Sequence, residues 1–226
     1  LKWLKHILYF SRVGPKMVSQ DVVIGCSFLV AIFFYASGSG MVDSVLQGPE
    51  DKDAQANSNM LAIGAVLMFG NSVCVICIGS FMYAVLLECS QVVAVGYLAT
   101  RCAEGILLGF GICSALASTA LDKDISDTSL LKVLIALKWS SYQLAMLSLS
   151  IGSLPVWTTF LQHQLLPQWL SICGIVGYAV LLVGSIGELL GYPYGILLSA
   201  PGGLFEIILA FWLICRGFQK TDTLAE

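Results

Sequence analysis

Six separate stretches of mostly apolar residues, each about 20 residues or more and divided by short polar connections, constrain this chain more than any other feature. A hydrocarbon layer roughly 30 Å thick demands that length from helices rising about 1.5 Å per residue. The predicted spans are Val22 to Val42, Met60 to Leu87, Val92 to Leu121, Leu130 to Leu154, Gln168 to Leu190 and Ile196 to Cys215. Composition agrees: 58% of the 226 residues are hydrophobic and 11% are charged, whereas soluble domains carry about a quarter charged residues. A membrane β-barrel would alternate in short segments, and no such pattern is present. The expected fold is all-α, a single integral membrane domain of six transmembrane helices.

An even number of spans puts both ends on one side of the membrane. Lys2, Lys5, Arg12 and Lys16 precede the first span and Arg216 and Lys220 follow the last, while the opposite loops offer Lys52, Lys123 and Lys132. Basic residues gather on the cytoplasmic side, so both ends are expected there, or on the matrix or stromal side of an organelle. Bacterial inner and organellar membranes fit equally. The chain opens on Leu1, which fits a processed or trimmed start, and shows no legible secretory signal. Residues 1–17 interleave the basic groups with Trp3, Leu4, Ile7, Leu8, Tyr9 and Phe10. Such a segment reads either as an interfacial amphipathic helix or as the positive flank of the first span.

The first connection, Asp43 to Asn59, is acidic, as is the third, Asp122 to Ser129, where Asp127 or Ser129 could cap the next helix. Pro155 and Pro167 bracket the fourth, and Gly191, Pro193 and Gly195 make the fifth a tight turn. A net charge of −3 offers nothing to a nucleic acid. Of eight cysteines, all but Cys89 fall inside apolar runs, so buried free thiols are expected rather than disulfides. The Cys74-x-x-Cys77 pair lies mid-span without clustered ligands or a redox-motif context.

Ionisable groups deep in a membrane cost several kcal/mol unless paired or hydrated, so each points to a role. Arg101 and Glu104 stand three apart in the third span and therefore share a helix face. Counted from the near side, Arg101 lies roughly 14 Å deep, Glu104 roughly 18 Å, Glu206 roughly 14 Å and Gln143 roughly 18 Å. A buried polar cluster of Arg101, Glu104, Gln143 and Glu206 is therefore expected, with Asn71 nearer the other side. One arginine facing two glutamates leaves a surplus negative charge if all ionise, which a proton or cation would relieve. The plainer alternative is an interhelical staple, preferred because no second basic residue, histidine relay or broken helix accompanies the cluster. Glu188 sits near the end of the fifth span, and His163 in a loop is a possible but isolated ligand. No metal site, catalytic set or cofactor is predicted, although lipids or pigments on the helix surface remain compatible with the sequence.

Gly105 with Gly109, and Gly187 with Gly191, have the spacing that lets helices approach closely. Trp3, Trp139, Trp157, Trp169 and Trp212 fall mostly near span ends and read as interfacial anchors. No phosphate loop, zinc-protease pair or nucleophile elbow is present.

The stretch Tyr97-Leu-Ala-Thr-Arg101-Cys-Ala-Glu104-Gly105, the later Leu166-Pro167-Gln-Trp169-Leu170 and the closing Pro201-Gly202-Gly203-Leu204-Phe205-Glu206 resemble the family called domain of unknown function 4386. Trp212-Leu-Ile and Arg216-Gly217-Phe218 extend the likeness, which covers about residues 20 to 220. The resemblance implies a six-helix, chiefly bacterial membrane protein with no established activity, and puts Arg101, Glu104 and Glu206 on the family's charged positions. The acidic first loop and the cysteine content depart from it. With no soluble domain and no evident conduction path, the leading functional expectation is a non-catalytic accessory subunit packed against other membrane proteins in the bilayer. The alternative is a small transporter or proton-coupled carrier using Glu104 and Glu206.

Overall fold

A computed structural model describes residues 19–46, 54–118, 128–192 and 195–219. Within them lie α1 (Gln20–Leu46), α2 (Ala54–Leu87), α3 (Gln91–Ala117), α4 (Thr128–Gln162), α5 (Gln168–Leu189) and α6 (Gly195–Cys215). All six are long and apolar enough to cross a membrane, and no strand occurs among the described residues. The interfacial segment expected over 1–17 and the acidic residues Glu50, Asp51 and Asp53 lie outside the described residues.

Each helix packs on the next in sequence, and α6 returns to pack on α1, closing a ring of six. The near end is where α1 begins and α6 ends. Gln20 Nε2 there donates to the Phe81 carbonyl at 2.7 Å, and the Gln219 N–H donates to the Leu165 carbonyl at 2.8 Å. Because lipid surrounds the ring, its outer surface is as apolar as its core: Val66, Val92, Val183 and Leu197 are all exposed. Polarity therefore marks the inside. In α3 the buried positions Ala94, Tyr97, Arg101, Glu104 and Leu108 recur every three or four residues and form one inward stripe.

The helices depart from the predicted spans in instructive places. α4 runs eight residues beyond Leu154, straight through Pro155. Proline cannot donate to the preceding turn, yet membrane helices tolerate it when nearby hydroxyls and packing compensate. Here the packing is tight: Trp157 and Phe160, just past the proline, are 0% exposed. Trp157 is thus no interfacial anchor. It stacks on Tyr178 at 6.1 Å and meets Phe205 edge-on at 4.8 Å, with Gly174 of α5 leaving the space its indole fills. Trp139 and Trp169 do face outward.

α3 ends at Ala117, four residues before the predicted limit, and α1 and α2 both lengthen into the first connection. Gly191 adopts φ +92° and terminates α5, its N–H donating to the Glu188 carbonyl at 3.0 Å. Gly187 and Gly191 consequently serve this turn and not a helix contact. Gly105 does face α2, against Ile76, but Gly109 has no neighbour within 4 Å. All eight cysteines are free, and Cys26, Cys113, Cys173 and Cys215 lie on the exterior instead of being buried in the protein.

Candidate functional site

The inward stripe of α3 delivers a guanidinium to the middle of the ring. Arg101 is 2% exposed, and its stem fits only because Gly79 of α2 faces it: a Cβ on Gly79 would stand 2.7 Å from Arg101 Cβ. Three of its nitrogens have separate surroundings. Nε donates to Tyr97 Oη at 2.8 Å and Nη1 to Glu104 Oε2 at 3.0 Å. Nη2 is buried without a hydrogen-bond partner and lies 3.7 Å from Glu206 Oε1. The rings of Tyr97 and Phe28 flank the guanidinium, with centroids 5.1 and 5.6 Å from Cζ. Glu206 in turn accepts from Tyr178 Oη at 2.6 Å and is 16% exposed, against 3% for Glu104.

These groups line a chamber of about 220 Å³ to which all six helices contribute. Its charged pole is Arg101, Glu104 and Glu206 with Tyr178; Asn71, Ser199, Tyr35 and Tyr142 add polar groups elsewhere, and the rest of the lining is Ile32, Val75, Leu108, Met146 and similar apolar side chains. Gly202 and Gly203 contribute a wall without side chains. A second cavity of about 200 Å³ lies toward the far end, lined by Asp43, Lys138, Trp139 and others. Tyr35, Leu108 and Tyr142 line both cavities. The Tyr35 and Tyr142 rings stack at 5.5 Å, so this pair stands as the partition between them.

The structure thus brings Arg101, Glu104 and Glu206 together across α3 and α6, and places Asn71 on the same chamber. Gln143 is buried at 2% but does not line the chamber. On α4 the lining positions are Tyr142, Met146 and Leu149, and Gln143 points about 100° away around the helix. Glu188 is half-buried near the far end of α5, and His163 is exposed beyond α4; neither lines either cavity.

Several participants were not singled out by sequence reasoning. Tyr178, Tyr142, Tyr35 and Ser199 carry hydroxyls on the chamber wall, and a tyrosine in mid-span was a usable signal, since its O–H must find a partner in lipid. Lys138 was another: a lysine inside an apolar run needs a counter-charge, and it forms an ion pair with Asp43, 95 residues away in sequence.

A ring of six membrane-spanning helices around a charged, solvent-sized chamber defines a multi-pass integral membrane protein with a built interior site. The chain belongs to the family described as Domain of unknown function (DUF4386), whose model matches residues 23–217. No curated protein and no solved structure matches it.

Proposed function

We propose that the protein is a small carrier that takes a solute into the central chamber and moves a proton with it, using Glu206 and Glu104. The observation supporting this is that every helix of the ring lines the chamber holding the arginine and both carboxyls. A structural staple requires no such space. With all three groups ionised the centre bears a surplus negative charge in a low-dielectric setting, and one proton or a cationic group removes it. Carriers commonly bind near mid-membrane and alternate access between two sides; the Tyr35–Tyr142 partition and the tight near end are the corresponding barriers. We place the near end on the cytoplasmic or equivalent side, following the bias of basic residues.

The test is proteoliposome flux with a trapped pH-sensitive dye, challenged with short- and long-chain alcohols, amines and carboxylic acids. Wild-type protein should move protons with at least one of these classes, and Glu206→Gln should abolish the response. A wild type silent toward every class, or a variant equal to wild type, would sink the carrier.

A second proposal, an accessory subunit of a larger membrane assembly, is favoured by connections as short as residues 88–90 and 163–167. It requires that native protein solubilised in mild detergent migrate with other membrane proteins. Migration only as a free monomer or homodimer would exclude it.

A further inference from the structure

The ring is tight at one end of its α1–α6 seam and open at the other. Near the cytoplasm-proposed end, a Cβ on Gly25 would lie 2.7 Å from the Ala210 carbonyl and 2.8 Å from Ile214 Cγ1, so α1 and α6 touch backbone to backbone. Eleven residues further along α1 and seven back along α6 stand Ala36 and Gly203. Both line the chamber and both are exposed. Nothing lies within 4 Å of where a Cβ on Gly203 would be. At this level the two helices put only a methyl group and a hydrogen between the chamber and the outside of the ring, which is the place for a sideways mouth.

Behind this mouth the charged groups gather at one pole, while the remaining walls are mainly apolar, with Asn71, Ser199 and the hydroxyls of Tyr35 and Tyr142 the other polar groups. At that pole the Nη2 donor of Arg101, buried and unpartnered, faces an acceptor, Glu206 Oε1, across a 3.7 Å gap too long for a hydrogen bond. A group that both accepts and donates would satisfy both atoms at once, and a hydroxyl does so without adding charge. An anionic head would instead meet two carboxyls.

We propose that the chamber is a binding site for a membrane-soluble amphiphile with an uncharged hydroxyl-bearing head, entering from the bilayer between Ala36 and Gly203. The head accepts from Arg101 Nη2 and donates to Glu206, while the tail lies along Ile32 and Met146 toward the mouth. This names the solute of the carrier proposed above and rests on that reading for its transport, but the site is measurable without transport.

The probe is a long-chain alcohol bearing a photoreactive diazirine near the hydroxyl, applied to the purified full chain in detergent, with adducts mapped by mass spectrometry. Adducts are expected on chamber residues such as Ile32 and Met146, competed by tetradecanol about tenfold more strongly than by its methyl ether, the worth of one hydrogen bond. Gly203→Phe, which plugs the mouth, should remove them. Gly109→Phe, equally unobstructed but not on the chamber wall, should not. Glu206→Leu should erase the preference for alcohol over ether while apolar labelling persists.

Labelling confined to outward residues such as Phe33 and Phe110 with no competition overturns the site. Chamber labelling that survives Gly203→Phe overturns the lateral route and points to entry past Tyr35 and Tyr142. Proton flux that depends on Glu206 with an unlabelled chamber refutes the amphiphile and leaves the carrier standing. Competed, hydroxyl-selective labelling without such flux upholds the site and removes the carrier.

Discussion

Gly79→Ala tests whether the position of the buried arginine is dictated by helix packing. The added methyl would stand 2.7 Å from Arg101 Cβ and 3.1 Å from its Cγ, where carbon atoms prefer about 3.5–4.0 Å. Arg101 Cβ is fixed to the backbone of α3, so the strain cannot be relieved by rotating a side chain. α2 and α3 must separate by roughly 1 Å at this level. Overpacking of that kind costs about 1–3 kcal/mol. Replacing a mid-helix glycine by alanine also gains about 1 kcal/mol of helix propensity, which would blur the result if the variant were measured alone. Gly109→Ala supplies the reference, because it makes the same replacement in α3 with no neighbour within 4 Å. Subtracting the two cancels propensity and leaves the packing term, so Gly79→Ala should be less stable than Gly109→Ala by about 1–3 kcal/mol. Unfolding free energies from detergent-to-SDS titration of the two purified variants measure this difference. Equal stabilities would refute the claim that Gly79 makes room for the arginine.

Three further perturbations probe the surroundings. Tyr178→Phe removes the 2.6 Å hydrogen bond to Glu206 and should cost about 1.5–3 kcal/mol in the same titration, but much less when Glu206 is already leucine, a non-additivity read from the double-mutant cycle. Trp157→Ala empties a site enclosed by Phe160, Tyr178 and Phe205 and should destabilise by about 3–5 kcal/mol, visible as early loss of the fluorescence-monitored folded signal. Lys138→Met breaks the ion pair with Asp43, whose side chain is 43% exposed, so hydration limits the loss to about 0–1 kcal/mol; a larger drop in the titration would mean the far-end cavity is drier than its exposure implies.

The six spans were legible because lipid imposes a length and an apolar composition that no connection satisfies. The pairing of Arg101 with Glu104 was legible from their spacing on one helix, and the nearness of Glu206 from counting depth along antiparallel helices. Direction was not: depth gives the level of Gln143 but not its face, and one position of error around a helix is about 100°. The extension of α4 through Pro155 was hidden because proline ends helices in water, while here Trp157 and Phe160 gain burial that rewards continuing the helix. Lys138 with Asp43 joins α4 to α1 across the ring, and Tyr178 with Glu206 joins α5 to α6, so both pairings depend on which helix faces turn inward, which the sequence does not show.

That closure has a consequence for how the protein is made. Helices enter the membrane in order during synthesis, so α3 arrives with Arg101 bound to Glu104 well before α6 brings Glu206 and completes the wall. Until α6 inserts, the ring is an open trough with a charged pair on its floor, facing lipid or a chaperone across the unfilled seam. The α1–α6 contact at Gly25 is then the latch of assembly, and a chain stopped after α5 should persist as a degradation-prone intermediate with its arginine half-satisfied.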